Sequence, residues 1–146
     1  MDFFRDKVFE PGRGSARTAD AVLVSLVKVV EVIQYKHIPV TLYVNGFIIT
    51  GELISFKNFF EMTVSRLNDV FPKNEDPTPF DDLMRDFTNS LSAYVRPKTI
   101  DAVGEPVFLQ LQMPTIIHTN STYNVGLHCR MRIDAVDAWS FGANPY

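Results

Sequence analysis

The sequence predicts an α+β fold: a small, strongly bent β-barrel preceded by a helix, with a two-helix insertion between the first hairpin and the later strands. Three observations predict it. Residues 39–55 alternate apolar and polar side chains on both sides of Asn45-Gly46, which is the period and the turn of a hairpin. Residues 125–142 alternate again and then turn at Asp134-Ala135. Between them lie about seventy residues of which most follow a helical period instead, as when one loop of a barrel has grown into a helical domain.

The elements follow in chain order. Residues 1–17 carry mixed charges and the segment Pro11-Gly-Arg-Gly-Ser-Ala-Arg17, and read as a flexible arm. Residues 18–146 then form one domain. Residues 18–36 are apolar except for Ser25, Lys28 and Glu31, which recur every third position as one narrow stripe. A helix this apolar is buried on most sides. Its many valines are compatible with a strand, but the length and the polar spacing favour a helix capped by Thr18 or Ser15. In the hairpin, Val40, Leu42 and Val44 face one way, and Thr41 and Tyr43 the other. Asn-Gly supplies the two positive φ angles of a type I′ turn. Gly51 inside the return strand marks a bend or bulge.

The insertion spans about residues 57–96. Phe60, Val64, Leu67 and Phe71 share a helical face that ends at Pro72. After a polar loop, Thr78-Pro79-Phe80-Asp81 has the composition of a helix start, and Phe80, Leu83, Met84, Phe87, Leu91 and Tyr94 share the next face. Pro97 closes it. Residues 107–113 alternate as a strand, and 115–119 form a second, shorter one before a turn at Asn120-Ser-Thr122. Val125, Leu127, Cys129, Met131 and Ile133 mark one face of the next strand, and residues 136–142 form the closing strand.

Bulk properties narrow the function classes. The 146 residues carry a net charge of −3, which disfavours binding nucleic acid by phosphate neutralisation. That surplus falls between Arg66 and Asp86, where six acids face three bases, as on a solvated loop and helix start or an acidic docking surface. The longest apolar stretch, 21–33, is too short to span a bilayer. The start lacks the apolar core of a secretory signal. A lone cysteine, Cys129, cannot form an internal disulfide and fits a reducing, cytoplasmic compartment, so the sequon at Asn120 carries no weight. Cys129 lies in phase with buried positions and reads as a small hydrophobe.

Catalytic and metal chemistry have no constellation to stand on. His37, His118 and His128 lie in separate elements without metal-ligand spacing. Gly12 and Gly14 lack the strand and helix of a phosphate loop, and no nucleophile elbow occurs. Asp134 and Asp137 flank a turn near Arg132, where solvated turn acids are commoner than acid–base pairs. The reading is a non-enzymatic protein without a cofactor or metal.

Two families resemble parts of this pattern. Val40, Leu42, Gly46, Ile49, Gly51 and Leu53 resemble the first motif of Sm-like proteins, and Met131-Arg-Ile-Asp-Ala-Val136 loosely resembles the second. The resemblance implies a helix followed by a five-stranded barrel. Where that pattern has an RNA-contacting aspartate, an asparagine and the glycine of the second motif, this chain has Lys57, Glu61 and Ile133, so uridine binding does not carry over. A more extensive resemblance, over about residues 38–142, is to the gas vesicle accessory protein U family. It rests on Leu42-Tyr-Val-Asn-Gly-Phe-Ile-Ile-Thr-Gly-Glu-Leu-Ile-Ser55 with Lys57-Asn-Phe-Phe60, on Val107-Phe-Leu-Gln-Leu111, and on Arg130-Met-Arg-Ile-Asp-Ala-Val-Asp-Ala-Trp-Ser-Phe-Gly142.

This second resemblance implies a cytoplasmic accessory protein of gas vesicles that self-associates and binds the vesicle wall or other gas vesicle proteins during assembly or clustering. No membrane partner is expected. The candidate interaction surface is Trp139 and Phe141 beside the closing edge, Phe87 and Tyr94 on the aromatic stripe, and Arg130 and Arg132. The two arginines, near Tyr43 and Lys57, carry the alternative of an Sm-like oligomer that binds nucleic acid. A small-molecule role in a cleft between barrel and helices selects no substrate from sequence.

Overall fold

The computed structural model describes residues 17–71, 79–124, 126 and 128–142. Arg17 is thus the described part of the predicted arm, and it forms an ion pair with Asp137. The first helix, α1 (Ala21–Val32), is capped by Asp20, whose carboxylate accepts from the Val22 and Leu23 N–H groups at 2.9 Å each. Asp20 therefore takes the role expected of Thr18, and Ser15 lies outside the described residues. An aspartate cap also complements the positive end of the helix dipole.

Strands β1 (Ile38–Val44) and β2 (Phe47–Ile54) form the predicted hairpin, with Val44 opposite Phe47. Asn45 and Gly46 hold φ values of 55° and 87°, as a type I′ turn requires. The insertion follows as α2 (Phe56–Val70), capped by Ser55, and α3 (Pro79–Ser92). The expected stop at Pro72 and cap at Thr78 lie outside the described residues. Then come a 3-10 turn at Ile100–Ala102, β3 (Phe108–His118), β4 (Ser121–Asn124), β5 (His128–Arg132), a second 3-10 turn at Ile133–Ala135, and β6 (Ala138–Phe141).

The strands form one antiparallel sheet in the order β4-β3-β2-β1-β6. The long β3 carries β2 on one edge and, on the other, β5 along its first half and β4 along its second. Two strands expected at 107–113 and 115–119 are one. Between the pairs Thr50–Thr115 and Glu52–Gln112, the single residue Gly51 faces both Met113 and Pro114. That is a β-bulge, a position in a ladder where a proline without an N–H is tolerated. Met113 takes the left-handed backbone (φ 52°). A side chain on Gly51 would put its Cβ 3.2 Å from the Gln112 carbonyl oxygen, so glycine permits this close crossing. Strand β4 begins at Ser121, inside the turn expected at 120–122, because the turn proper is Thr119-Asn120.

Among the described residues no ladder joins β5 to β6. The turn at Ile133–Ala135 carries the chain from the edge of β3 to the edge of β1, and β6 spends its four residues on β1. The sheet is strongly bent but not closed by hydrogen bonds; covalent connection takes the place of the last ladder of the expected barrel.

Helix α1 plugs the concave face. Leu23, Val24, Val27 and Val30 pack against Val40, Leu42, Ile49, Leu53, Leu109, Leu111 and Ile133, which is the alternation of the hairpin expressed as a core. On the opposite face, α2 covers the end of the sheet near His128. Helix α2 has no buried residue and lies on the sheet, while α3, with Met84 buried, packs on α2.

Candidate functional site

The polar stripe of α1 is exposed at Ser25 and turns inward at Lys28 and Glu31. Lys28 pairs with Glu105 at 2.7 Å, and Glu31, only 9% exposed, organises a junction of three segments. One carboxylate oxygen accepts from the Phe56 N–H (2.7 Å), in the first turn of α2, and the other from the Tyr94 hydroxyl (3.0 Å). A carboxylate at a helix N-terminus satisfies donors the helix itself cannot. The Tyr94 hydroxyl also accepts from Gln34 Nε2. Burial, then the Glu31 charge, pushes the Tyr94 phenol up to about 12. Arg96 closes the far end of α1 by donating twice to the Val32 carbonyl. Sequence reasoning missed this junction; its one local signal was an acid on an otherwise apolar helix.

Beside the junction opens a cleft of about 480 Å³ whose lining includes Val27, Glu31, Phe56, Phe108, Gln110 and Arg130. The Arg130 guanidinium lies 4.1 Å from the Phe108 ring centroid and 5.7 Å from that of Phe56. Gln110, directly across the ladder from Arg130, is buried. Its side-chain carbonyl oxygen has no donor among the described residues.

The six residues singled out from the sequence separate into three groups. Tyr94 belongs to the junction, with its ring 6.2 Å from Phe56, and Phe87 meets Phe60 edge to face at 5.6 Å, packing α3 on α2. Arg130 lines the cleft, whereas Arg132 on the same strand binds Asp134 through two donors at 2.9 and 2.6 Å. Trp139 and Phe141 share β6. Trp139 is half-buried against the core and lies across from Leu42. Phe141 is 72% exposed. The structure therefore does not bring the six together as one surface.

Electrostatics ties the β5–β6 corner down. The Arg132 hydrogen bonds hold the Asp134 carboxyl below the usual range, and the Asn45 N–H, then Arg17, do the same for Asp137. Both acids stay ionised near neutral pH, so neither keeps a proton to donate in acid catalysis there. Burial pushes the Cys129 thiol up, away from the reactive thiolate. Among the described residues no group of His, Cys, Asp and Glu could hold a metal, and no helix is long and apolar enough to cross a membrane.

Lys57 and Glu61, which stand where the Sm-like pattern has its aspartate and asparagine, pair with each other at 2.7 Å.

No curated protein and no solved structure matches the chain. The model of the family described as gas vesicle protein GvpU-like matches residues 20–144, from the Asp20 cap through α1, the hairpin, the insertion and β6. With most of the chain inside that match, the protein belongs to the GvpU-like family of gas vesicle proteins.

Proposed function

We propose that this protein is a cytoplasmic, non-enzymatic gas vesicle accessory protein that acts by self-association and by binding gas vesicle components during assembly or clustering. The observation that carries the reading is the family match over residues 20–144. The sheet supports the mode of action. Among the described residues β6 pairs only with β1, and β5 only with β3, which leaves each with an unpaired edge. Such an edge is a template for strand addition by another chain. Phe141 adds an exposed apolar side chain on that strand. Many weak contacts on an object the size of a vesicle gain strength by avidity.

The nucleic-acid alternative draws little support from the cations. The chain carries a net charge of −3, and five of the ten described Lys and Arg side chains (Arg17, Lys28, Lys57, Arg85 and Arg132) already pair with a carboxylate, which disfavours binding by phosphate neutralisation.

Sedimentation velocity over a range of protein concentrations tests self-association. The wild type is expected to shift to larger species as concentration rises, and Phe141→Lys, a charge on the open edge strand, to remain smaller while keeping its melting temperature. A wild type that stays monomeric at all concentrations would contradict the self-association part of the reading.

A further inference from the structure

Two polar groups in the cleft beside the Glu31 junction lack what the rest of it has. Its carboxylates are satisfied: Glu31 by the Phe56 N–H and the Tyr94 hydroxyl, Glu105 by Lys28. Its guanidinium is not. Arg130 is exposed to solvent, lies against the Phe108 and Phe56 rings, and has neither an ion pair nor a hydrogen bond to the protein among the described residues. Across the ladder, Gln110 is 3% exposed and its carbonyl oxygen has no donor. A buried acceptor without a donor carries an uncompensated desolvation cost. An arginine resting on an aromatic face has less rotamer freedom left to lose on binding.

We propose that this cleft is a binding site for a carboxylate carried on an apolar body with an adjacent hydrogen-bond donor. Arg130 takes the carboxylate through the free edge of its guanidinium, in the planar two-point geometry that the fork favours. Gln110 accepts the donor. Val27, Phe56 and Phe108 receive the apolar part. The charge balance selects a carboxylate over a phosphate: one unpaired cation and two acids within the same lining match a single negative charge better than a double one. The same chemistry is presented by a small hydroxy or amino acid derivative and by the free C-terminus of a polypeptide. The site does not depend on the gas vesicle reading.

Titration of the full chain, followed by NMR and calorimetry, tests the proposal with 3-phenyllactate, its uncharged amide, and the peptide acetyl-Gly-Gly-Phe with a free or an amidated C-terminus. At least one free carboxylate is expected to bind, to shift the Arg130 Nε–H resonance and the Phe108 ring signals, and to weaken as salt rises. Its amide should bind about tenfold more weakly or worse, the loss expected when a charge-assisted pair is removed. Arg130→Met, which keeps the stem against Phe108, should lose the same factor. If that variant fails to fold, the Arg130 resonance in the wild type still decides. A preference for phenyllactate assigns the site to a small molecule, and a preference for the peptide assigns it to a chain terminus; both support the proposal. Equal binding of acid and amide, no change at the Arg130 Nε–H, or no binding of either carboxylate at millimolar concentration would overturn it.

Discussion

Replacing Gly51 is the sharpest test of the bent sheet. A Cβ at this position would meet the Gln112 carbonyl oxygen at 3.2 Å, and the Leu111 Cβ and Pro114 Cα at 3.4 Å each. Two of these three are backbone atoms of the bulge, so they yield only if the bend itself relaxes. Gly51 does not hold a positive φ, so the penalty is one of space. For Gly51→Ala, a shift of a few tenths of an ångström costs on the order of 1 kcal/mol, partly offset by about 0.4–1 kcal/mol from a less flexible unfolded chain. Gly51→Val adds two methyl groups at the same crossing and should reach about 3 kcal/mol, the upper part of the overpacking range. At roughly 3 °C per kcal/mol for a chain of this size, that lowers the melting temperature by about 10 °C. Gly104→Ala is the control, because nothing lies within 4 Å of a Cβ there. Thermal denaturation by circular dichroism reads all three variants. A Gly51→Val melting temperature equal to the wild type would refute the account of the bulge.

Three further outcomes follow from the packing. Trp139→Ala removes a half-buried indole packed against the core, and urea denaturation should show a loss of about 2–4 kcal/mol; unchanged stability would mean that Trp139 serves only a partner. Phe87→Asp places a charge against Phe60 and should speed amide hydrogen exchange along α3 while the sheet stays protected, whereas unaltered exchange would show that the α2–α3 contact is idle. His128 should make stability depend on pH. Its Nε2 lies 2.9 Å from the Thr63 hydroxyl, which itself donates to the Phe59 carbonyl, so Nε2 is the donor and Nδ1 is bare. Nδ1 is buried without a partner among the described residues. Burial first, then the Arg66 charge, lowers the His128 pKa from 6.5. The unfolded chain therefore binds the proton more readily. This contribution is fully present above about pH 6.5 and is lost as pH falls from there toward the lower folded value. His128→Gln should flatten the stability curve between about pH 7 and 5, and an unchanged slope would contradict the assignment.

What was legible in the sequence is what local chemistry determines. Asn45-Gly46 admits few alternatives to a tight hairpin turn, and Gly51 announced a crowded crossing. The change of period from two to 3.6 located the insertion within a residue or so of Ser55, the cap of α2. The misses involve competition between groups, most of them distant in sequence. Thr18 and Asp20 are both reasonable caps by composition, and only the folded helix start shows the Asp20 carboxylate taking the Val22 and Leu23 N–H groups. Pro114 looks like a break until Gly51 on the neighbouring strand makes room for a bulge. Glu31 reads as part of a solvated stripe until Phe56 and Tyr94 arrive from elements 25 and 63 positions away. Arg130 and Arg132 look equivalent two residues apart, yet one meets Phe108 through the β3–β5 register and the other meets Asp134 in the following turn.

The most direct test of the central claim is flotation. Labelled protein is mixed with intact gas vesicles, centrifuged gently, and measured in the floating and soluble layers beside an unrelated control protein. The account predicts saturable enrichment in the floating layer, reduced for Phe141→Lys if edge pairing contributes to avidity. Folded protein that stays in the soluble layer at every vesicle concentration would contradict an accessory role exerted on the assembled vesicle.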